Sequence, residues 1–326
     1  MALKLNERYP GRFNSPTTQY PQGSFKNRTA PGAKDGSYLE QDWANDKLAF
    51  YSSLLSGANI TANGNVDTVG ASQHYDALLL NTQRGVIGIS RNARMSVIAE
   101  SATATFTADE LIVQTALGGR QYKLSSFSNI INLASTGAGG MDTGTVPVTG
   151  FVALYAIYNP TTLASGLLAV NATSAVVPEV CAGVMPSGYT ASALVSVLRI
   201  SGSKFTICEQ SGRVVSIQDF SALSATSAIP TATRLSIAGV VPLNARKVSG
   251  TLYSGLPNQR AGGYTRIDIY SNAQLVGKQS CRLGIGYIGD VYCNYELPIS
   301  NQGIYYTTSS ISGLLAAGIS ISKYEI

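Results

Sequence analysis

FVALYAIY, residues 151–158, is apolar on both of the faces a strand would present. Side chains alternate across a strand, so such a segment must be covered on both sides and reads as the centre of a buried sheet. Working outward, further strand-like segments recur at short intervals: ALVSVLRI (193–200), KFTICEQ (204–210), RVVSIQDF (213–220), RLSIAGVV (234–241) and KVSGTLYS (247–254). YTRIDIYS (264–271), SCRLGIGY (280–287), VYCNYELPI (291–299), GIYYTT (303–308) and GISISKYEI (318–326) continue the series. In YTRIDIYS, Thr265, Ile267 and Ile269 share one face, and Tyr264, Arg266, Asp268 and Tyr270 the other. That alternation predicts one dry and one wet face. Many short strands at this spacing predict an antiparallel β-sandwich over residues 151–326.

Upstream, segments 95–99, 103–115 and 121–133 also read as strands and predict a β-rich neck over 86–134. Residues 135–150, STGAGGMDTGTVPVTG, hold five glycines and one proline and predict a hinge. Before the neck the period changes to a helical one. Ser37 and Glu40 have the spacing of a capping box, which predicts a helix from residue 37 to Gly57. Leu39, Trp43, Phe50 and Leu54 would form its apolar stripe. A second helix is predicted over about 68–83, with Val69, Tyr75, Leu78 and Leu79 inward and Gly85 ending it. Two helices of this size bury little alone, so residues 37–85 are expected to form a collar with copies of themselves. Residues 1–36 carry four of the twelve prolines and no apolar period, which predicts an extended arm with few bonds of its own.

The fold class expected is therefore mainly β with a small N-terminal helical region. Charge supports an assembly over a nucleic-acid protein. Only 13% of residues are charged, about half the usual share. Residues 1–36 hold six basic and two acidic groups, so +4 of the +5 net charge lies there. The other 290 residues carry +1 and offer no basic face to a phosphate backbone. No charged-then-apolar leader and no run of about 18 apolar residues is seen, so neither export nor membrane insertion is expected. The four cysteines (Cys181, Cys208, Cys281, Cys293) form no CxxC pair and read as free thiols from a reducing compartment. No cofactor and no metal are expected.

The most specific signal is residues 9–78, with GSFKNRTAPGAKDGSYLEQDWAND, the turn around NGNVDTVGASQ, and the YDAL helix. This stretch resembles the N-terminal attachment module of tailed-bacteriophage tail fibres and related appendage proteins. MDTGTVPVTGFVALYAIYNPTT, LLAVNATSAVVPEV and MPSGYTASALVSV are more diffusely similar to β-rich modules at the ends of such proteins. The resemblance implies a homotrimeric fibre, fixed to the tail, baseplate or neck of a virion assembled in the host cytoplasm. Its distal β domain would touch a host-surface glycan or outer-membrane protein. It implies that Tyr9, Arg12, Phe13, Tyr20, Phe25, Lys26 and Arg28 grip the virion, and that Leu39, Trp43, Phe50, Leu54 and Leu78 pack the trimer. Alternatives are a structural collar or baseplate decoration, and a depolymerase.

Motifs that suggest chemistry are weak. GIGYIG (284–289) fits a dinucleotide fingerprint only if a helix follows, and DVYCNYEL reads as a strand. Asp142–Thr143–Gly144 lacks the second carboxylate triplet that an aspartic protease needs. His74, the one histidine, reads as a capping or core residue, and the Asn-x-Thr triplets at Asn27, Asn59 and Asn171 lack a secretion signal. A glycan depolymerase needs paired carboxylates, for which Asp219, Asp268, Asp290 and Glu296 are candidates by elimination. No enzyme activity is expected. Twelve of eighteen tyrosines lie in 151–326, including Tyr253, Tyr264, Tyr270, Tyr287, Tyr292, Tyr295, Tyr305 and Tyr306. As a group they suit surface binding, with Tyr264, Arg266, Asp268 and Tyr270 as the candidate receptor contact.

Overall fold

The computed structural model describes residues 4–58, 60–82, 85–256, 263–284, 289–311 and 315–326. Asn59 and Tyr287 lie outside them, as do residues 285–288 of the GIGYIG motif, whose flanks are strands on both sides. The chain divides into two compact units, Met1–Arg84 and Gly85–Ile326. Among the described residues strand dominates, the named strands pair antiparallel, and helix is confined to the first unit.

The first unit contains α1 (Leu5–Arg8), β1 (Phe13–Asn14), β2 (Ser24–Phe25), α2 (Gln41–Gly57) and α3 (Gln73–Thr82). Residues 1–36 were expected to be extended, yet residues 4–36 fold back on themselves. β1 pairs with β2, and Leu5 and Phe13 are buried. Tyr9, Phe13, Phe25 and Trp43 form a chain of ring contacts at 5.2–5.8 Å, which gives the proline-rich segment a small aromatic core. The capping box does not form either. Ser37 Oγ accepts from the Lys26 N–H at 2.8 Å and donates to the Arg12 carbonyl at 2.6 Å, so it ties the arm together instead. α2 starts four residues later than expected, with Glu40 at its N-cap and no side-chain cap.

α3 has the better cap. The Asp67 carboxylate accepts from the Ser72 hydroxyl at 2.7 Å, from the Gln73 and His74 N–H groups at 3.1 Å, and meets His74 Nδ1 at 2.8 Å. The Ser72 hydroxyl, then the His74 N–H, hold this carboxyl well below the usual carboxylate range. A depressed folded-state value gives stability that is present above the unfolded value of about 3.9 and lost as pH falls toward the folded one. Hydrogen exchange at the Gln73 and His74 amides is therefore expected to lose protection below about pH 4. Protection that persists in strong acid would refute the cap as the source. Asp67→Asn should lower protection at neutral pH and flatten its acid dependence.

The second unit contains β3 (Ser90–Arg91), β4 (Arg94–Val97), β5 (Thr103–Gln114), β6 (Gln121–Asn132), β7 (Thr149–Tyr158), β8 (Ser165–Asn171) and β9 (Ala191–Ser201). It continues with β10 (Lys204–Phe205), β11 (Cys208–Ser211), β12 (Val214–Ala225), β13 (Ile229–Ser236), β14 (Lys247–Leu256) and β15 (Thr265–Tyr270). The last strands are β16 (Gln279–Leu283), β17 (Gly289–Pro298), β18 (Gly303–Ser310) and β19 (Ala316–Glu325). A large sheet runs in the order β17-β14-β19-β12-β11-β4-β5-β9-β7-β8, with β10 on β9 and β3 and β6 on β5. A second sheet runs β13-β18-β15-β16 and faces β14, β17 and β19.

Across the middle of the large sheet, β5 meets β9 at one residue pair, Gln114 with Ser192, and Ser101 bridges Phe205 of β10. Beyond that junction β9 folds over the rest. The Tyr324 hydroxyl on β19 donates to the Val197 carbonyl on β9 at 2.8 Å, and Gln210 Nε2 on β11 donates to the Val195 carbonyl at 2.7 Å. This explains FVALYAIY. As β7 it lies between β8 and β9, and Phe151–Ile157 are all buried.

Neck and hinge are not separate parts. β4, β5 and β6 belong to the same sheet as β9, β11 and β12, because β4 pairs with β11 and β5 with β9. The glycine-rich segment is pinned along β8: Gly139 N–H donates to Leu167 O at 2.7 Å, Ala169 N–H to Gly140 O at 2.9 Å, and Asp142 N–H to Ala169 O at 2.8 Å. Met141 is buried there. Gly140 has no room for a side chain, since a Cβ would lie 2.4 Å from the Ser135 carbonyl. Glycine here serves close approach rather than flexibility.

Candidate functional site

Of the predicted receptor contact, Arg266, Asp268 and Tyr270 lie on β15 and Tyr264 just before it, but that face is not wet. Asp268 and Tyr270 are buried. Arg266 Nε donates to Asp268 Oδ1 at 2.8 Å, the Ser280 hydroxyl donates to the same oxygen, and Lys278 Nζ lies 3.3 Å from Oδ2. Tyr270 hydrogen-bonds to Asp268 at 3.4 Å, and Tyr264 carries the Arg282 guanidinium over its ring at 4.5 Å. A buried carboxylate needs such partners, so Arg266 and Lys278 are committed to neutralising it.

The tyrosines divide in the same way. Tyr270, Tyr295, Tyr306 and Tyr324 are core residues. Tyr253 and Tyr292 are not: they stand opposite one another on β14 and β17, with ring centroids 5.3 Å apart, and Tyr292 is 65% exposed. Their strands, with β19 and β12, present an open outer face whose register aligns residues in rows. Ser224, Gly318, Tyr253 and Tyr292 form one row. Ser221, Ser320, Thr251 and Asn294 form the next, and Lys323, Ser249 and Glu296 a third.

A groove of about 360 Å³ follows the first two rows, with Asp219 at its side. A second, of about 670 Å³, continues over Lys247, Glu296 and Glu325 and shares Thr251 with the first. Gly255 leaves room for the aromatic shelf. At Gly255 an added Cβ would lie 2.8 Å from the Tyr253 hydroxyl and 2.3 Å from Asp290 Oδ1. That hydroxyl donates to Asp290 at 3.1 Å, which fixes the ring.

The face thus offers a flat aromatic pair beside a row of small neutral hydroxyl and amide groups. Stacking plus neutral hydrogen bonding is the chemistry that receives a polyhydroxylated ring or a polar protein surface. Three carboxylates considered for catalysis reach it. Asp290 is held by Tyr253, Glu296 lies 3.0 Å from Lys247 Nζ, and Asp219 borders the groove. Asp268 is apart from them in the buried network. Sequence reading singled out Tyr253 and Tyr292 only as members of a group. The signal that could have chosen them is polar alternation: in VYCNYELP, Tyr292, Asn294 and Glu296 share a face.

In the first unit, the residues predicted for attachment divide by burial. Phe13 is buried, Tyr9, Arg12 and Lys26 are half-buried, and Tyr20, Phe25 and Arg28 are exposed. Arg12 lies over the Tyr38 ring at 4.4 Å and also donates to the Lys34 carbonyl. Of the residues predicted for helix packing, three are exposed and two are half-buried. Leu39 precedes α2 and is 76% exposed, Phe50 is 59% exposed, and Leu78 is exposed on α3. Leu54 is half-buried, and Trp43 packs on Phe25 and carries Lys47 over its ring at 4.6 Å. No residue of α2 is buried.

No protein-family profile matches the chain, and no curated protein matches it. Among solved structures, a tryptic core variant of Bacillus thuringiensis Cry1Da aligns over 74% of this chain at 7% identity and a TM-score of 0.21. The alignment spans about half of that chain (52%). A likeness at that level assigns neither fold nor activity. Among the described residues, no group of His, Cys, Asp and Glu could hold a metal ion, and no helix is long and apolar enough to cross a membrane.

Proposed function

We propose that this protein is an appendage subunit of a tailed bacteriophage. It is held on the virion tail, baseplate or neck by its first unit and binds a host-surface receptor, a glycan or an outer-membrane protein, through its β unit. The observation that carries this reading is the ordered resemblance of residues 9–78 to a virion-attachment module, which coincides with a compact unit ending at Arg84. The apolar residues of α2 and α3 support the homotrimer, since Leu48, Phe50, Tyr51, Tyr75 and Leu78 are exposed in one chain. The Tyr253–Tyr292 shelf supports receptor binding. Three copies of a weak site would add by avidity.

The test is adsorption. Residues 85–326 are expected to bind host cells and to block infection by the parent phage. Tyr292→Ala is expected to weaken that binding about tenfold, the scale of one aromatic contact. A folded 85–326 that does not bind host cells would sink the receptor reading and leave a structural decoration of the virion. Release of reducing sugar from host glycan would point instead to a depolymerase.

A further inference from the structure

Two of the four thiols meet across the β-sandwich. Cys281 lies on β16, at the edge of the four-stranded sheet, and Cys293 on β17, at the edge of the large one. β16 and β17 face each other in contact. Cys281 is fully buried, and its Sγ donates to the Val291 carbonyl at 3.5 Å. Val291 and Cys293 are alternate residues of β17, so both face the strand that carries Cys281. Cys293 is near enough to act on the Cys281 thiol. Cys293 is half-buried at the rim of the core, so a small molecule in solvent can reach it.

We propose that Cys281 and Cys293 form a reversible disulfide between the two sheets by exchange with a low-molecular-weight disulfide such as glutathione disulfide. The Cys293 thiolate attacks one glutathione sulfur, the S–S bond breaks, and one glutathione thiolate leaves. Cys281 then loses its proton to solvent and attacks the Cys293 sulfur, and the second glutathione leaves. The two protein thiols give up two electrons, and one glutathione disulfide becomes two glutathione thiols. Burial, then the neighbouring thiol, push Cys281 up to about 12. The second step is therefore the slow one, because the attacking species is the thiolate. The bond would join two sheet edges only after the protein leaves a reducing compartment. It stands independently of the appendage reading.

The experiment uses the full chain, purified reduced and incubated folded with glutathione disulfide. Samples are alkylated over time and mapped by mass spectrometry. The expected course is a transient glutathione adduct on Cys293, then a Cys281–Cys293 peptide lacking two hydrogens. A rise in melting temperature that dithiothreitol reverses should accompany it. Cys293→Ser, at the half-buried position, should show neither the link nor the rise. A stable adduct on Cys293 with no link, a link that needs denaturant, or a bond to Cys181 or Cys208 would each overturn the proposal.

Discussion

Replacing Gly250 by alanine is expected to cost the β unit about 3 kcal/mol, the upper range for forcing a methyl into a full site. Gly250 stands opposite Tyr295 on β17 and Ile321 on β19, where the β14–β19 register slips. A Cβ at this position would lie 1.9 Å from the Ser320 carbonyl oxygen and 3.0 Å from the Ile321 Cα. Both obstacles are backbone in the interior of a sheet, so neither can swing aside. The same carbonyl accepts the Tyr295 hydroxyl at 2.9 Å, which the added methyl would displace. For a unit of this size that cost corresponds to a fall in melting temperature of roughly 6–12 °C. Gly239→Ala is the control, because its Cβ would meet nothing within 4 Å. Equal melting temperatures for the two variants would show that the bulge relaxes around the methyl.

Tyr324→Ala is expected to cost about 4 kcal/mol, as for other large aromatic truncations in a core. Tyr324 is 1% exposed and joins two layers, since its ring fills the space under β9 and its hydroxyl holds the Val197 carbonyl. Tyr324→Phe keeps the ring and loses the hydrogen bond, so its cost should be near 1 kcal/mol. Denaturant titration of the two variants separates cavity from hydrogen bond, and similar costs for both would refute that division. The pH dependence gives a second check. Burial raises the hydroxyls of Tyr155, Tyr295 and Tyr324 above their ordinary value. A raised folded-state value gives stability that is complete below the unfolded value, about pH 10, and lost as pH rises beyond it. Tyr324→Phe should therefore narrow the stability gap to wild type as the solution becomes alkaline.

The β class was legible because burial on both faces leaves a local mark, and β7 and β9 carry it residue by residue. The three dry positions of β15 were legible for the same reason. Its other face was not. Asp268 and Tyr270 look solvent-facing in a strand pattern, but Arg266, Ser280 and Lys278 arrive from the sequence around them and neutralise the carboxylate. The helix start failed on competition: Ser37 had a cap available in sequence and found Lys26 and Arg12 in space. The glycine-rich 135–150 segment misled in the same way, since glycine marks both hinges and close backbone approach. Only the contact with β8 tells them apart. The Tyr253–Tyr292 shelf depends on a register between β14 and β17, and single-strand patterns do not contain a register.

The position of β19 has a consequence for how the protein is made. It is the last strand of the sequence, yet it lies between β12 and β14 in the interior of the large sheet. During synthesis those two strands have no partner on that side until residues 316–325 leave the ribosome. Their unpaired N–H and C=O groups form two open edges, the template on which chains join one another. A chain interrupted before Ala316 is thus expected to associate rather than fold short. Assembly of the β unit has to wait for the ten residues of β19.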